Sequence, residues 1–442
     1  MKFYNREKEL KTLQAHHHQS SESGKMIVMT GRRRVGKTLL ALEFSKNYRY
    51  LYLFISKKSE LLLCQEFLDE IKKTFDVPVI GHISSFKDIF ALLLEISKKE
   101  PFTLIIDEFQ EFYNINPSIF SDVQRLWDLN KSQCRLNLIF IGSVYTLMNR
   151  IFQNSKEPLF QRADRVLYIK PFQIKTLYDI LSDHNSMDMK NLFDLYLFTG
   201  GIPRYIDILV KNTSLNYNSM LDFILEEDSP FLNEGKNLLI EEFGKEYGMY
   251  FSILELISSG KTARAEIESI LECQVGGYLE RLENDYNIIS KQKSIDAKPN
   301  TRSLKYRVTD NFLNFWFRFI YRHRSAIETG NFKYVKQIID RDYAMYSGLI
   351  LERFFHLLIA DTGQFNNVGS YWEKGNQNEI DLVAVNDMEK KILIAEIKLN
   401  KSKIRIELLK NKSKKLLDVF RDYQPEWVAL GLEDVELYLK NQ

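Results

Sequence analysis

The segment Gly31-Arg32-Arg33-Arg34-Val35-Gly36-Lys37-Thr38 constrains this chain more than any other part of it. It follows a β-like run, KMIVMT (25–30), and opens a helical pattern (37–47), so a strand must pass through a glycine-bearing loop into a helix. The glycines let successive backbone N–H groups wrap a polyphosphate, and the helix N-terminus adds a favourable dipole. In the pattern GxxxxGK[ST], the lysine, here Lys37, reaches the β- and γ-phosphates and the hydroxyl of Thr38 binds Mg²⁺. Contacts to the nucleotide are expected from Gly31, Arg34, Val35, Gly36, Lys37, Thr38 and Leu39. Downstream, LIIDE (104–108) is an apolar strand ending in two acids. Asp107 at the strand end holds Mg²⁺ through water, and Glu108 is placed to polarise the attacking water. The two motifs together predict a site for Mg-ATP.

The opening third alternates short apolar runs (25–30, 50–56, 102–109, 136–143, 165–172) with amphipathic stretches (37–47, 59–75, 84–99, 117–132, 145–153). That alternation predicts an α/β fold with a parallel sheet. At 442 residues the chain is too long for one ordinary domain. Hydrophobic content of 45% with 27% charged residues is that of a folded soluble protein. No apolar run is long enough to span a bilayer, and the charged opening MKFYNREKEL lacks the apolar core of a signal peptide. No membrane partner is expected, and the expected compartment is the cytoplasm. Cys64, Cys134 and Cys273 lie too far apart to suggest a disulfide framework or a cysteine zinc site.

Four parts are read along the chain: a P-loop core (1–172), a helical lid (173–244) broken by Gly200-Gly201-Ile202-Pro203, a three-helix and hairpin unit with an aromatic linker helix (245–325), and a final α/β domain (335–442). Ser143, ending the fourth strand, is read as a polar sensor of the γ-phosphate and as the N-cap of helix 145–153, two roles that are compatible. Arg162 is either an arginine finger offered to a neighbouring subunit, which implies a homo-oligomer, or a surface ion pair with Asp164.

The ordered set NREKEL (5–10), GRRRVGKT, LIIDEF, IGS, QRAD…IKPF, GGIPRY and YRVTDNFLNFWFRF (306–319) resembles the prokaryotic, archaeal-type ATPases of the AAA+/STAND group. The resemblance covers nearly the whole chain. It implies that Asn5-Arg6-Glu7 lies near the adenine, that GGIP couples the lid to nucleotide state, and that 245–310 is a winged helix. Arg204 is then either a lid-borne phosphate sensor or a surface cap of the lid. Ser143 departs from the asparagine usual in AAA+ proteins, which bears on hydrolysis rather than on binding.

Proteins of this group often end in a domain resembling PD-(D/E)xK nucleases, with a restriction-endonuclease-like α/β fold. The residues here follow that order: Glu352 in the helical pattern GLILERFFHLLI (348–359), Asp381 in NEIDLVAV (378–385), and Glu396 and Lys398 in IAEIKL (394–399). Residues i and i+2 of a strand share a face, so Glu396 and Lys398 point the same way. Asp381 and Glu396 are the expected metal ligands, joined by Glu352, while Lys398 orients the attacking water or stabilises the phosphate. Glu379 shares the face of Asp381 and is a further possible ligand.

Two basic stretches suggest DNA as a partner. The hairpin carries Lys291, Lys293, Lys298, Arg302, Lys305 and Arg307, whereas the third helix of the unit (274–285) carries Glu280, Glu283 and Asp285. Backbone contact by the wing is therefore expected rather than base readout by the helix, unless the unit is an interdomain spacer. Residues 398–415 hold eight Lys/Arg against the single acid Glu407, which follows a phosphate backbone or forms a solvated basic helix. Two functions remain open: an ATP-controlled, metal-dependent nuclease, or a non-catalytic ATP switch whose last domain is an inactive scaffold.

Overall fold

Apolar runs without polar alternation must be buried on both faces, and in this chain they form a parallel sheet covered by helices. The computed structural model describes residues 2–76, 83–298, 300–301 and 303–440. They divide into two units, Lys2–Pro171 and the part from Phe172 onward.

The first unit runs α1 (Glu7–Gln19), β1 (Lys25–Thr30), α2 (Lys37–Ser45), β2 (Tyr50–Phe54), α3 (Glu60–Thr74), α4 (Phe86–Lys99), β3 (Phe102–Asp107), α5 (Ser118–Asn130), β4 (Leu136–Gly142), α6 (Tyr145–Gln153) and β5 (Arg165–Tyr168). The strands are all parallel, in the order β2-β3-β4-β1-β5. Every residue of β3 and of β4 is buried. Because β4 stands between β3 and β1, its C-terminal end lies between the loop after β1 and the acids after β3. The expected α/β core is thus realised, with β1 as expected and the C-terminal ends of β2 to β5 trimmed by one to four residues.

The second unit begins with the helices α7 (Ile174–Asp183), α8 (Met189–Thr199), α9 (Pro203–Lys211), α10 (Tyr217–Ile224) and α11 (Pro230–Phe243). Then come α12 (Tyr247–Ser258), α13 (Arg264–Leu271), α14 (Gly276–Glu280) and the antiparallel hairpin β6 (Ile289–Gln292) and β7 (Lys305–Val308). The aromatic stretch forms α15 (Asn311–Phe315) and a further helical turn, with Phe312, Phe315, Trp316, Phe317 and Phe319 buried.

The long α16 (Phe332–Asp361) leads into β8 (Asn367–Tyr371), β9 (Ile380–Asn386) and β10 (Lys391–Ile397). After α17 (Ile406–Lys412) and α18 (Lys414–Val419), β11 (Gln424–Leu430) completes a mixed sheet in the order β11-β10-β9-β8. Neighbours pair antiparallel except β10 with β11, which needs the α17–α18 crossover to run parallel. Its core joins Tyr371, Ile380, Val383, Ile392, Ile394, Leu409 and Leu416. Arg353 of α16 donates to Asn311 Oδ1 at 2.7 Å, and Asn311 in turn donates to the Tyr196 carbonyl of α8 at 3.2 Å. Among the described residues, no helix is long and apolar enough to cross a membrane.

Candidate functional site

The loop between β1 and α2 has the backbone that phosphate wrapping requires. Gly31 has φ 150° and Gly36 has φ 87°, and a Cβ on Gly31 would lie 2.4 Å from the Ile169 carbonyl oxygen. Arg34 also sits at positive φ, 72°. Lys37 begins α2 and donates to the carbonyls of Gly31 at 2.8 Å and Arg32 at 2.9 Å. Val35 is buried and Leu39 is exposed. Arg6 closes the loop from outside, donating to Val35 O at 3.3 Å and Lys170 O at 2.6 Å, with Glu9 3.2 Å away. Gly31→Ala should raise the Kd for ATP by about 5- to 150-fold by calorimetry, because the strained backbone and the clash with Ile169 cost roughly 1–3 kcal/mol.

Thr38 and Asp107 meet directly, Thr38 Oγ1 donating to Asp107 Oδ2 at 2.5 Å. Tyr52 of β2 donates to the same oxygen at 3.0 Å, and the Glu108 N–H donates to Oδ1 at 2.9 Å. Burial raises the pKa of Asp107 despite these donors, of which Thr38 is the strongest. A hydroxyl and a carboxylate converging on one point fit Mg²⁺, which takes few protein ligands and completes its shell with water and phosphate oxygens. Tyr52 was not legible as a site residue. It faces Asp107 because Phe54 pairs with Asp107 across the β2–β3 ladder and residues two apart share a face.

Glu108 stands just past the strand at φ 55°, a left-handed conformation costly for a residue with a side chain. Its Oε2 accepts from Ser143 Oγ at 2.7 Å and from Gln110 Nε2. The N-cap role for Ser143 is corrected here: the cap residue of α6 is Val144, and the Ser143 hydroxyl is committed to Glu108. Arg162 pairs with Asp128 at 3.2 Å rather than with Asp164. Asp164 is taken by Lys131 at 3.0 Å and by the Met26 N–H at 2.8 Å, since β1 and α5 bring both within reach. Arg204 lies in the second unit on α9, 3.8 Å from Asp207 of its own helix.

In the last domain, the β9–β10 ladder pairs Leu382 with Ala395, so one step further sets Asp381 opposite Glu396 on a common face. Asp381 Oδ2 accepts the Ile397 N–H at 2.8 Å. Lys398 Nζ donates to Glu396 Oε1 at 3.0 Å, and Lys412 of α17 donates to Glu396 Oε2 at 3.0 Å. Burial pushes Asp381 up to about 6, opposed by the Ile397 N–H and reinforced by the charge of Glu396. Burial also works against ionised Glu396, but the hydrogen bonds from Lys398 and Lys412 outweigh it and hold its pKa below the usual value. His356 Nε2 lies 2.8 Å from the Asp381 carbonyl, which Ser370 Oγ also reaches at 3.1 Å, so the backbone of Asp381 is fixed from both sides. Lys412 and His356 escaped the sequence reading. The i, i+4 spacing of Glu352 and His356 on one helix face was an available signal; for Lys412, sixteen residues past Glu396, there was none.

Glu352 faces Arg307, 3.6 Å away. Burial, stronger than the opposing charge of Arg307, raises its pKa to about 8, and Asp381 adds to the rise. Among the described residues, no three His, Cys, Asp or Glu side chains converge to hold a metal ion, so Asp381 and Glu396 stand as a pair. Two adjacent carboxylates still fit Mg²⁺, which commonly takes one or two of them together with substrate phosphate. The raised pKa of Glu352 has a consequence for stability. A folded-state pKa above the unfolded one contributes stability that is present below about pH 4.5 and is lost as pH rises through about 8. In chelator, the melting temperature of the natural protein should therefore fall between pH 5 and 9 by a few degrees more than that of Glu352→Gln, at roughly 2–4 °C per kcal/mol.

Several cations of the two basic stretches are ion-paired, some of them, such as Lys410 and Lys415, while still exposed to solvent. Lys291 pairs with Glu283, Lys305 with Glu379 at 2.7 Å, and Arg307 with Glu352. Arg302 lies outside the described residues. In 398–415, Lys398 and Lys412 meet Glu396, Lys401 meets Asp434 at 2.7 Å, Lys410 meets Glu407 at 2.8 Å, and Lys415 meets Glu373. Most of these acids come from other elements that folding brings alongside.

The strand order, the glycine loop and the acid-tipped third strand define a P-loop ATPase fold. Residues 3–209 match the profile of an ATPase domain predominantly from Archaea, and residues 316–415 match that of archaeal and bacterial proteins of unknown function. Residues 3–209 are thus similar to an archaeal-type ATPase domain, and the fold there is that of an ATP-binding P-loop core. It is 28% identical to an uncharacterized protein of Methanocaldococcus jannaschii, over 99% of this chain and 94% of that one. A Walker-type ATPase of Pyrococcus abyssi shares the fold at 17% identity, with a TM-score of 0.55 over 71% of this chain and 96% of the other.

Proposed function

We propose that this protein is an Mg²⁺-dependent ATPase whose nucleotide state controls phosphodiester cleavage of DNA by the C-terminal domain. At the P-loop, Lys37 and the loop amides hold the phosphates, Thr38 and Asp107 hold Mg²⁺, and Glu108 takes the proton of the attacking water. Ser143 serves as the polar group that relates Glu108 to the γ-phosphate. Arg162 offered by a neighbouring subunit completes the set in a homo-oligomer.

The observation that carries the nuclease part is the cross-strand pair Asp381–Glu396, flanked by Lys398 and Lys412 on one face of a buried sheet. Two carboxylates at half-buried positions call for compensating cations, which Lys398 and Lys412 supply at Glu396 and a metal ion would supply to the pair. The order helix, three strands, helices, strand also supports the reading, since it resembles the core of PD-(D/E)xK nucleases. There the metal would polarise the scissile phosphate and its bound water, with Lys398 steadying the nucleophile. The second reading, a non-catalytic ATP switch, draws on the ion pairs that occupy Glu396, Glu379 and Glu352. The test is cleavage of single-stranded, duplex and branched DNA with Mg²⁺ or Mn²⁺, with and without ATP, in the natural protein and in Lys37→Ala. Cleavage that follows ATP in the first and not in the second supports control by nucleotide. Absence of cleavage on every substrate moves the function to the switch.

A further inference from the structure

The hairpin β6–β7 is fastened to the C-terminal domain at its tip and along its stem. At the tip, the Ile295 N–H donates to the Ser370 carbonyl of the edge strand β8 at 2.9 Å. The Trp372 N–H donates to Ser294 Oγ at 3.3 Å and its indole N–H to Ser303 Oγ at 3.3 Å. Ile295 packs on the core of that domain. Along the stem, Lys305 reaches Glu379 at 2.7 Å and lies 4.5 Å from the centre of the Trp372 ring, while Arg307 faces Glu352 at 3.6 Å. The side chains of Lys305, Arg307 and Glu352 are only 13%, 21% and 19% exposed, so the Arg307–Glu352 pair is shielded from solvent, while Glu379 is 43% exposed. Arg353, next to Glu352, holds the end of β7 through the carbonyls of Val308 and Thr309.

We propose that this hairpin is a built-in inhibitor of the Asp381–Glu396 centre, its stem cations competing with a divalent metal ion and with DNA phosphates. While docked, Arg307 occupies Glu352 and Lys305 occupies Glu379. Undocking hands Glu352 to the pair as a third carboxylate and releases Lys305 and Arg307 to a phosphate backbone. The same pairs thus mask the acids from metal and the bases from DNA. This rests on the nuclease reading of the C-terminal domain and specifies its regulation. The attachment is small, a few hydrogen bonds, one apolar side chain and two ion pairs, so an open state at about 1–10% is within its reach. Docking then weakens apparent metal affinity by about 10–100-fold.

A reversible lock tests this on the full chain. A Cβ at Gly369 would lie 3.6 Å from Ile295 Cβ, within the disulfide range of about 3.5–4.5 Å. Ile295→Cys with Gly369→Cys, in a Cys273→Ser background because Cys64 and Cys134 are buried, closes the hairpin on oxidation. Mn²⁺ is titrated by calorimetry without nucleotide, and Asp381→Ala in the same background identifies the site. The expected result is Asp381-dependent Mn²⁺ binding in the reduced protein that is lost on oxidation, and about tenfold tighter binding in Ile295→Asp, whose tip cannot dock. Equal Asp381-dependent binding in the oxidised and reduced forms overturns the inhibitor while leaving the metal centre standing. No Asp381-dependent binding in any form removes the metal centre, and the inhibitor with it. If the disulfide does not form, Ile295→Asp decides alone, an unchanged affinity overturning the proposal.

Discussion

Glu108→Gln should bind ATP with nearly the affinity of the natural protein and hydrolyse it about 10²–10⁴-fold more slowly. The side chain keeps its length, and its carbonyl oxygen can still accept from Ser143, as Oε2 does at 2.7 Å, so the fold around the strand end should be undisturbed. What is lost is a basic oxygen near the attacking water. Lys37→Ala is the matched contrast. It removes the ammonium that now bridges the Gly31 and Arg32 carbonyls, and it should abolish binding itself. Calorimetry for binding and phosphate release for turnover separate the two. Normal turnover in Glu108→Gln would take the base role from this residue. Ser143→Ala gives a third point: it relieves Glu108 of one donor, so a changed rate at unchanged affinity would place Ser143 in the control of the base.

Asp381→Ala should remove metal-dependent DNA cleavage altogether, a loss of at least about 10³-fold, since one of two carboxylates that fit the ion is gone. The substitution also strips the Ile397 N–H of its acceptor, at a cost of about 1–3 kcal/mol. Asp381→Asn keeps an acceptor oxygen there and separates the two effects. Cleavage retained in Asp381→Asn, with the melting temperature unchanged, would exclude this pair as the metal centre. Lys398→Ala should act similarly in direction. Lys412→Ala should act more weakly, because Lys398 remains to hold Glu396.

Much of the nucleotide site was legible because it is local. A glycine loop between an apolar run and a helical pattern, and an acid pair at the end of a second apolar run, each fix their own backbone geometry within a few residues. Gly31, Gly36, Lys37 and Thr38 lie within one loop and helix start, and Asp107 needs only a parallel ladder to reach Thr38. Tyr52 was hidden because its role depends on which strand pairs with β3. The candidate nuclease acids were legible through period-two alternation and spacing, with no hint that Lys412 or Arg307 would stand beside them. Ser143 shows the limit most directly: its two local readings concerned the helix after it and the phosphate before it, and its actual partner, Glu108, lies thirty-five residues away.

By itself, then, the sequence determined the P-loop, the parallel α/β core, the helical and hairpin segments, and which side chains are candidates for chemistry. Those depend on propensity, patterning and short spacing, which are properties of a local stretch of chain. Tertiary structure alone decided the pairing of charges. Lys305, Arg307, Lys401, Lys412 and Lys415 read as an open basic surface, yet folding sets an acid from a distant segment opposite each one. An ion pair is a matter of a few ångströms in space, and separation along the chain carries no information about it until the sheet and helices have closed.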